Sequence, residues 1–150
     1  MDRTDRAILK VLQTNGRLSN IELADQVALS PSACLRRVRT LEDSGVIAGY
    51  AMLPNPVRLG FTGVAFIQIT LDRQNRDALE RFERAVVVVP EVLSCYLLAG
   101  QADYLLHVVY RDSADLERIH NDVFTHLPGV VQVRSTLALR SIKVTGAYPI

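Results

Sequence analysis

No apolar run reaches the roughly 18 residues that a membrane-crossing helix needs, so no membrane span is expected. Charge of either sign is also in short supply: 17 Lys and Arg stand against 16 Asp and Glu, a net charge of +1. No global positive field therefore announces a nucleic-acid partner, and any such partner has to be met by a local patch. Cysteine occurs twice, as Cys34 and Cys95, without the close Cys or His spacing of a zinc site. Two packed thiols in a reduced, cytoplasmic protein are the expectation. No phosphate-cradling glycine loop is present. The opening residues, MDRTDRAILK, are charged and enter an amphipathic pattern at once, unlike a secretion signal.

Chemistry-bearing side chains are similarly sparse. His107 falls in a strand-like run, and His120 and His126 fall on different faces of one helix, so no metal site is expected. Neither cysteine has a paired base, which argues against nucleophilic catalysis. No enzyme activity and no cofactor are expected.

What is present is a soluble globular composition, 49% hydrophobic and 22% charged, over 150 residues, enough for one ordinary core or two small ones. The first fifty residues read as three helices. In TDRAILKVLQTNGR, the apolar residues Ile8, Leu9 and Leu12 recur at helical spacing, with Thr4 or Asp5 as the cap and Asn15-Gly16 as the end. SNIELADQV carries a capping box between Ser19 and Glu22. Ser30-Pro31 opens a third helix that runs to about Ser44, where Gly45 stops it. Two short helices separated by about three residues match a helix-turn-helix. GVIAGYAML suits a small strand or wing, and the prolines and glycine of LPNPVRLG read as a linker.

The rest of the chain has the element order β-α-β-β-α-β, the ferredoxin-like arrangement. Its strands are TGVAFIQITL, VLSCYLLA, YLLHVVY and VVQVRSTLAL; its helices are RDALERFERAVVVV, with Leu79, Phe82 and Val86 inward, and SADLERIHNDVFTHL, with Leu116, Ile119, Val123 and Leu127 inward. The fold class is therefore α+β: a (winged) helix-turn-helix domain over 1–50, a linker over 51–60 and a ferredoxin-like βαββαβ domain over 61–150. Both helices should cover one sheet face. Either Val64 and Phe66 or Ala65, Ile67 and Ile69 must then lie on the other, and a two-layer domain with an apolar open face wants a partner sheet. A dimer through the C-terminal domain is expected.

The stretch LSPSACLRRVRTLEDSGVI packs three arginines into one helix with no acid before Glu42. With Cys34, Val38 and Leu41 as the buried stripe, Arg36, Arg39 and Ser32 point nearly opposite, and Arg37 lies on the flank. Ala33 and Thr40 run along one side. Basic faces are commonly only solvated. Here the arginines sit on the second helix of the helix-turn-helix, the one that enters the major groove in that motif. Ser30, Ser32, Ala33, Arg36, Arg37, Arg39 and Thr40 are the expected DNA-contacting residues. Arg36 would meet a base edge or phosphate and Arg39 a phosphate, with Ser32 and Ala33 on the groove floor. Arg37 would reach either a phosphate or a carboxylate of its own domain.

These residues, and MDRTDRAILKVLQTNGRLSNIELADQVALSPSACLRRVRTLEDSGVIAGY as a whole, closely resemble the N-terminal half of the Lrp/AsnC (feast/famine) transcriptional regulators. PEVLSCYLLAGQADYLLHV and LPGVVQVRSTLALRSIK resemble the effector domain of that family, so the likeness covers nearly the whole chain. The resemblance implies a DNA-binding dimer that assembles into tetramers, octamers or higher rings, with an amino acid bound where dimers meet. It implies an effector site at Gly100, Gln101, Ala102, Asp103 and Tyr104, joined by Ser135 and Thr136. Physically, Gly100 permits close backbone approach and Asp103 suits an α-ammonium group. The simpler alternative for Asp103 is a turn aspartate bonded to local amides. An architectural DNA-compacting protein without a ligand is the alternative function. A small-molecule enzyme in a ferredoxin-like cleft is a weaker one. Two departures from the family pattern stand out: Ala28 where glycine is usual in the turn, and Ala33 where proline or threonine is common.

Overall fold

A computed structural model describes residues 1–150, and the chain divides into two units. The first comprises Met1–Leu53 together with Ile142–Ile150, and the second Pro54–Ser141. The sequence pattern alone assigns 61–150 to a single C-terminal domain, whereas the fold returns the last nine residues to the first unit.

The first unit holds α1 (Arg3–Thr14), α2 (Asn20–Gln26) and α3 (Pro31–Asp43). Helix α1 begins earlier than Thr4 or Asp5 would start it. Asp2 is its N-cap, accepting from the Asp5 amide at 2.8 Å while the Asp5 side chain accepts from the Asp2 amide at 2.8 Å. The Ser19–Glu22 capping box forms as expected, and the Ser30 hydroxyl accepts from the Ala33 amide at 3.2 Å with Pro31 at the first helical position. Ile8, Leu9, Leu23, Ala24, Cys34 and Leu41 form the buried core of this unit. The Asn20 side-chain amide donates to the Pro31 carbonyl at 2.8 Å, pinning the start of α2 to the start of α3.

Between those helices Ala28 adopts φ +53°, the only residue other than glycine with positive φ. The small strand expected in GVIAGYAML does not form, since no strand of the chain pairs with it. This stretch is instead held by the Tyr50 hydroxyl, which donates to Glu42 Oε1 at 3.0 Å. The tail packs beside it: Ile150 joins the core, and the Gln13 carboxamide donates to the Tyr148 carbonyl and accepts from the Tyr148 amide.

The second unit carries β1 (Gly63–Leu71), α4 (Arg76–Val86), β2 (Val92–Leu97), β3 (Tyr104–Tyr110), α5 (Ser113–Arg118) and β4 (Val130–Leu137). All pairings are antiparallel, in the order β2-β3-β1-β4. This is the ferredoxin-like topology that the element order implies. Ala65, Ile67, Ile69 and Leu71 alternate inward and pack with Phe82, Val86, Ile119 and Phe124. Both helical segments thus cover one face. Helix α5 is shorter than the sequence pattern suggests: a π-helical turn, Ile119–Val123, and a 3₁₀ turn, Phe124–His126, follow it. The extra residue in the π turn rotates Phe124 fully into the core and leaves Val123 half-buried.

The opposite sheet face is uncovered. The register places Phe66 between His107 on β3 and Thr136 on β4, with the Phe66 and His107 rings stacked at 5.3 Å. Phe66 is 41% exposed. No helix is long and apolar enough to cross a membrane.

Candidate nucleic-acid interface and effector hollow

Helix α3 has 13 residues, about 20 Å at 1.5 Å per residue, ample to lie in a major groove. Cys34 and Leu41 are buried, and Ser32, Arg36, Arg39 and Thr40 are exposed on the far side. Arg36 and Arg39 belong to none of the ion pairs of the chain, so both guanidinium groups are free. The Ser30 and Ser32 hydroxyls lie 3.2 Å apart, and the Thr40 hydroxyl folds back to donate to the Arg36 carbonyl at 3.0 Å.

Arg37 behaves differently. Its Nη1 lies 2.8 Å from Asp2 Oδ2 and 2.7 Å from Asp5 Oδ1, so it bolts α3 to the first turn of α1. Of the two destinations open to it, a carboxylate of its own domain is the one occupied. The Asp5 amide, and then the Arg37 guanidinium, hold the Asp2 carboxyl below its usual range, and the two carboxylates raise Arg37 in turn.

In the second unit, a hollow of about 380 Å³ opens on the uncovered sheet face beside the β2–β3 loop. It is lined by Gln68, Thr70, Leu98, Gln101, Ala102, Gln132 and Arg134. Of the residues expected at an effector site, Gln101 and Ala102 line this hollow. Gly100 is exposed in the same loop, and Thr136 lies on the same sheet face beyond the lining. Ser135 pairs with buried Ile67 and so belongs to the opposite, helix-covered side.

Asp103 and Tyr104 face inward. Asp103 is 7% exposed, and its carboxylate accepts from the Leu71 amide at 2.7 Å and from the Gln74 carboxamide at 2.8 Å. Asp103 thus bonds amide groups, but these lie 29 and 32 residues away rather than in its own turn, so the local turn-aspartate alternative does not describe it either. Tyr104 is fully buried and donates to Glu83 Oε1 at 2.9 Å; burial, and then that bond, push its phenol well up. The residues missed by sequence reading are Gln68, Thr70, Gln132 and Arg134. Their signal was available: they are polar residues at alternate positions of two adjacent strands, on the face where apolar residues were expected.

Neither thiol is activated. Burial raises Cys34, and burial together with the Glu83 carboxylate pushes Cys95 up to about 11. His107 stacks on Phe66, while His120 and His126 sit in the π and 3₁₀ turns.

A helix-turn-helix with free arginines on its second helix, joined to a ferredoxin-like domain with a polar hollow, defines a DNA-binding transcriptional regulator with a ligand-binding domain. A profile described as winged helix-turn-helix DNA-binding matches residues 1–48, and one described as Lrp/AsnC ligand binding domain matches residues 64–148. The leucine-responsive regulatory proteins of Escherichia coli K12 and Salmonella typhimurium are each 41% identical over 143 residues, covering 95% of this chain and 87% of theirs. A transcriptional regulator from Neisseria meningitidis, solved as a complex with L-Met, superimposes with a TM-score of 0.95 at 43% identity, covering 99% of this chain and 96% of that one. An AsnC family regulator from Agrobacterium tumefaciens gives a TM-score of 0.95 at 34% identity, covering 99% and 97%. The chain belongs to the Lrp/AsnC family of transcriptional regulators, as its sequence resemblance implies.

Proposed function

We propose that this regulator responds to an amino acid bound in the hollow beside the β2–β3 loop. The observation that carries this reading is Arg134, a guanidinium without an ion pair, set among the carboxamides of Gln68, Gln101 and Gln132 and the Thr70 hydroxyl. A guanidinium is suited to a carboxylate through paired charge-assisted bonds. The carboxamide oxygens can accept from an ammonium group. The volume falls within the range of small-ligand sites. The L-Met complex of the Neisseria relative supports an amino acid as the ligand class. Gly100 and Ala102 give the loop its close approach, and Asp103 and Tyr104 hold the wall from behind.

The uncovered sheet face, with Phe66 at its centre, supports association of two chains through this domain. Such a dimer presents two copies of α3 to half-sites about one helical turn apart, or a multiple of that. Arg36 and Arg39 reach the DNA, Ser30 and Thr40 order the helix, and Ser32 and Ala33 meet the groove floor.

The test is thermal melting with L-methionine and a panel of other amino acids. A ligand at about 100 times its Kd stabilises by roughly 2.7 kcal/mol, and Arg134→Ala should abolish the shift. Absence of a shift with every amino acid would return the reading to an architectural DNA-binding protein.

A further inference from the structure

Helix α1 carries an unpartnered cationic stripe. Arg3, Arg6 and Lys10 fall at i, i+3 and i+7, within about 60° of one another at 100° per residue and on the side away from Ile8, Leu9 and Leu12. All three are exposed, and none belongs to an ion pair. The two acids of the same helix start, Asp2 and Asp5, are already consumed by their capping box and by Arg37. The positive charge of the stripe is therefore not neutralised within its own helix.

The position of the stripe is what gives it meaning. Arg37 fastens the first turn of α1 to the flank of α3, next in sequence to Arg36. Arg6 follows Asp2 by one helical turn, and its amide donates to the Asp2 carbonyl at 3.1 Å. Arg6 therefore stands one turn along α1 from the Asp2–Arg37 pair that ties this helix to α3. Packed helices lie about 8–10 Å apart, and a major groove is about 12 Å wide. With α3 in the groove, the start of α1 comes to the phosphates that wall it. Arg3 and Arg6 also sit in the first turns of a helix, where the dipole disfavours positive charge. They detract from helix stability, so the fold itself does not need them there.

We propose that Arg3, Arg6 and Lys10 form a second phosphate-binding track that sets affinity for duplex DNA without reading sequence. This rests on the assignment of α3 to the major groove. The experiment is fluorescence anisotropy of the full chain on duplex DNA, with and without the operator, across a range of salt. The triple variant R3A/R6A/K10A should lower the salt slope by roughly 0.9 for each phosphate it no longer neutralises, and weaken operator and mixed-sequence DNA alike. Its melting temperature should stay the same or rise. The variant R3K/R6K should keep the parental slope. An unchanged slope in the triple variant overturns the proposal. R36A is the separate control: if it leaves operator binding intact while the triple variant lowers the slope, the α3 assignment fails and the track on α1 stands.

Discussion

The Leu71 amide donates to the Asp103 carboxylate across 2.7 Å, closing the end of β1 where its pairing with β4 slips at Thr70 and Leu71. That N–H points to the β3 side, where the β1–β3 pairing has already ended at Ile69 and Tyr104, and a side chain 32 residues away supplies its acceptor. Asp103→Ala should therefore cost about 1–3 kcal/mol in denaturant melts, because it strands a buried donor. Asp103→Asn, which keeps a carbonyl acceptor, should lose less and should keep the calorimetric signal of any amino acid that the parent protein binds. Loss of binding at unchanged stability would instead make Asp103 a direct ligand contact.

Ala28 stands at φ +53° in the turn between α2 and α3. A left-handed conformation costs an L-residue on the order of 1 kcal/mol relative to glycine. Ala28→Gly should raise the melting temperature by an amount corresponding to about 1 kcal/mol, less the extra chain entropy glycine brings to the unfolded state. An unchanged or lower midpoint in differential scanning calorimetry would refute this.

The Arg37 link to Asp2 should loosen in acid. The folded Asp2 carboxyl titrates below its ordinary value, so its contribution is fully present above the unfolded pKa and is lost as pH falls through the lowered one. That window lies below about pH 4. Asp2→Asn should flatten the acid limb of the stability profile, measured by circular dichroism from pH 6 to pH 2. Arg37→Ala should lower the melting temperature at neutral pH, whereas Arg36→Ala should weaken operator binding by roughly 1–3 kcal/mol with the fold unaffected.

Removal of Ile142–Ile150 should destabilise the first unit by about 1–2 kcal/mol, from the half-buried Ile150 and the Gln13–Tyr148 bonds. Gln13→Ala should reproduce part of that loss. Equal protection from hydrogen exchange in α1 with and without the tail would contradict it.

How far the sequence can be read follows the range of each interaction. The Ser19–Glu22 box and the Ser30-Pro31 start span three residues and are legible from side-chain type alone. The β-α-β-β-α-β order is legible because strand and helix periods differ. Burial of Phe124 is not, since the π turn that rotates it inward is a response to packing on the sheet. At the candidate effector site, the loop Gly100–Ala102 is found by resemblance, yet Asp103 and Tyr104 turn away from it. Their partners, Leu71, Gln74 and Glu83, are more than twenty residues distant and are brought close only by the fold. Arg134 escapes notice unless alternation along β4 is carried across to the polar positions of β1.

The return of the tail to the first unit changes what can be cut from this molecule. Met1 and Ile150 line one hollow, so the two ends of the chain are neighbours and belong to the same folded body. A fragment stopped at Leu53 would leave that body without its last layer. Joining residue 150 to residue 1 through a short flexible linker and reopening the chain in the exposed 54–60 segment would instead yield a permuted protein that presents the helix-turn-helix as one continuous C-terminal stretch.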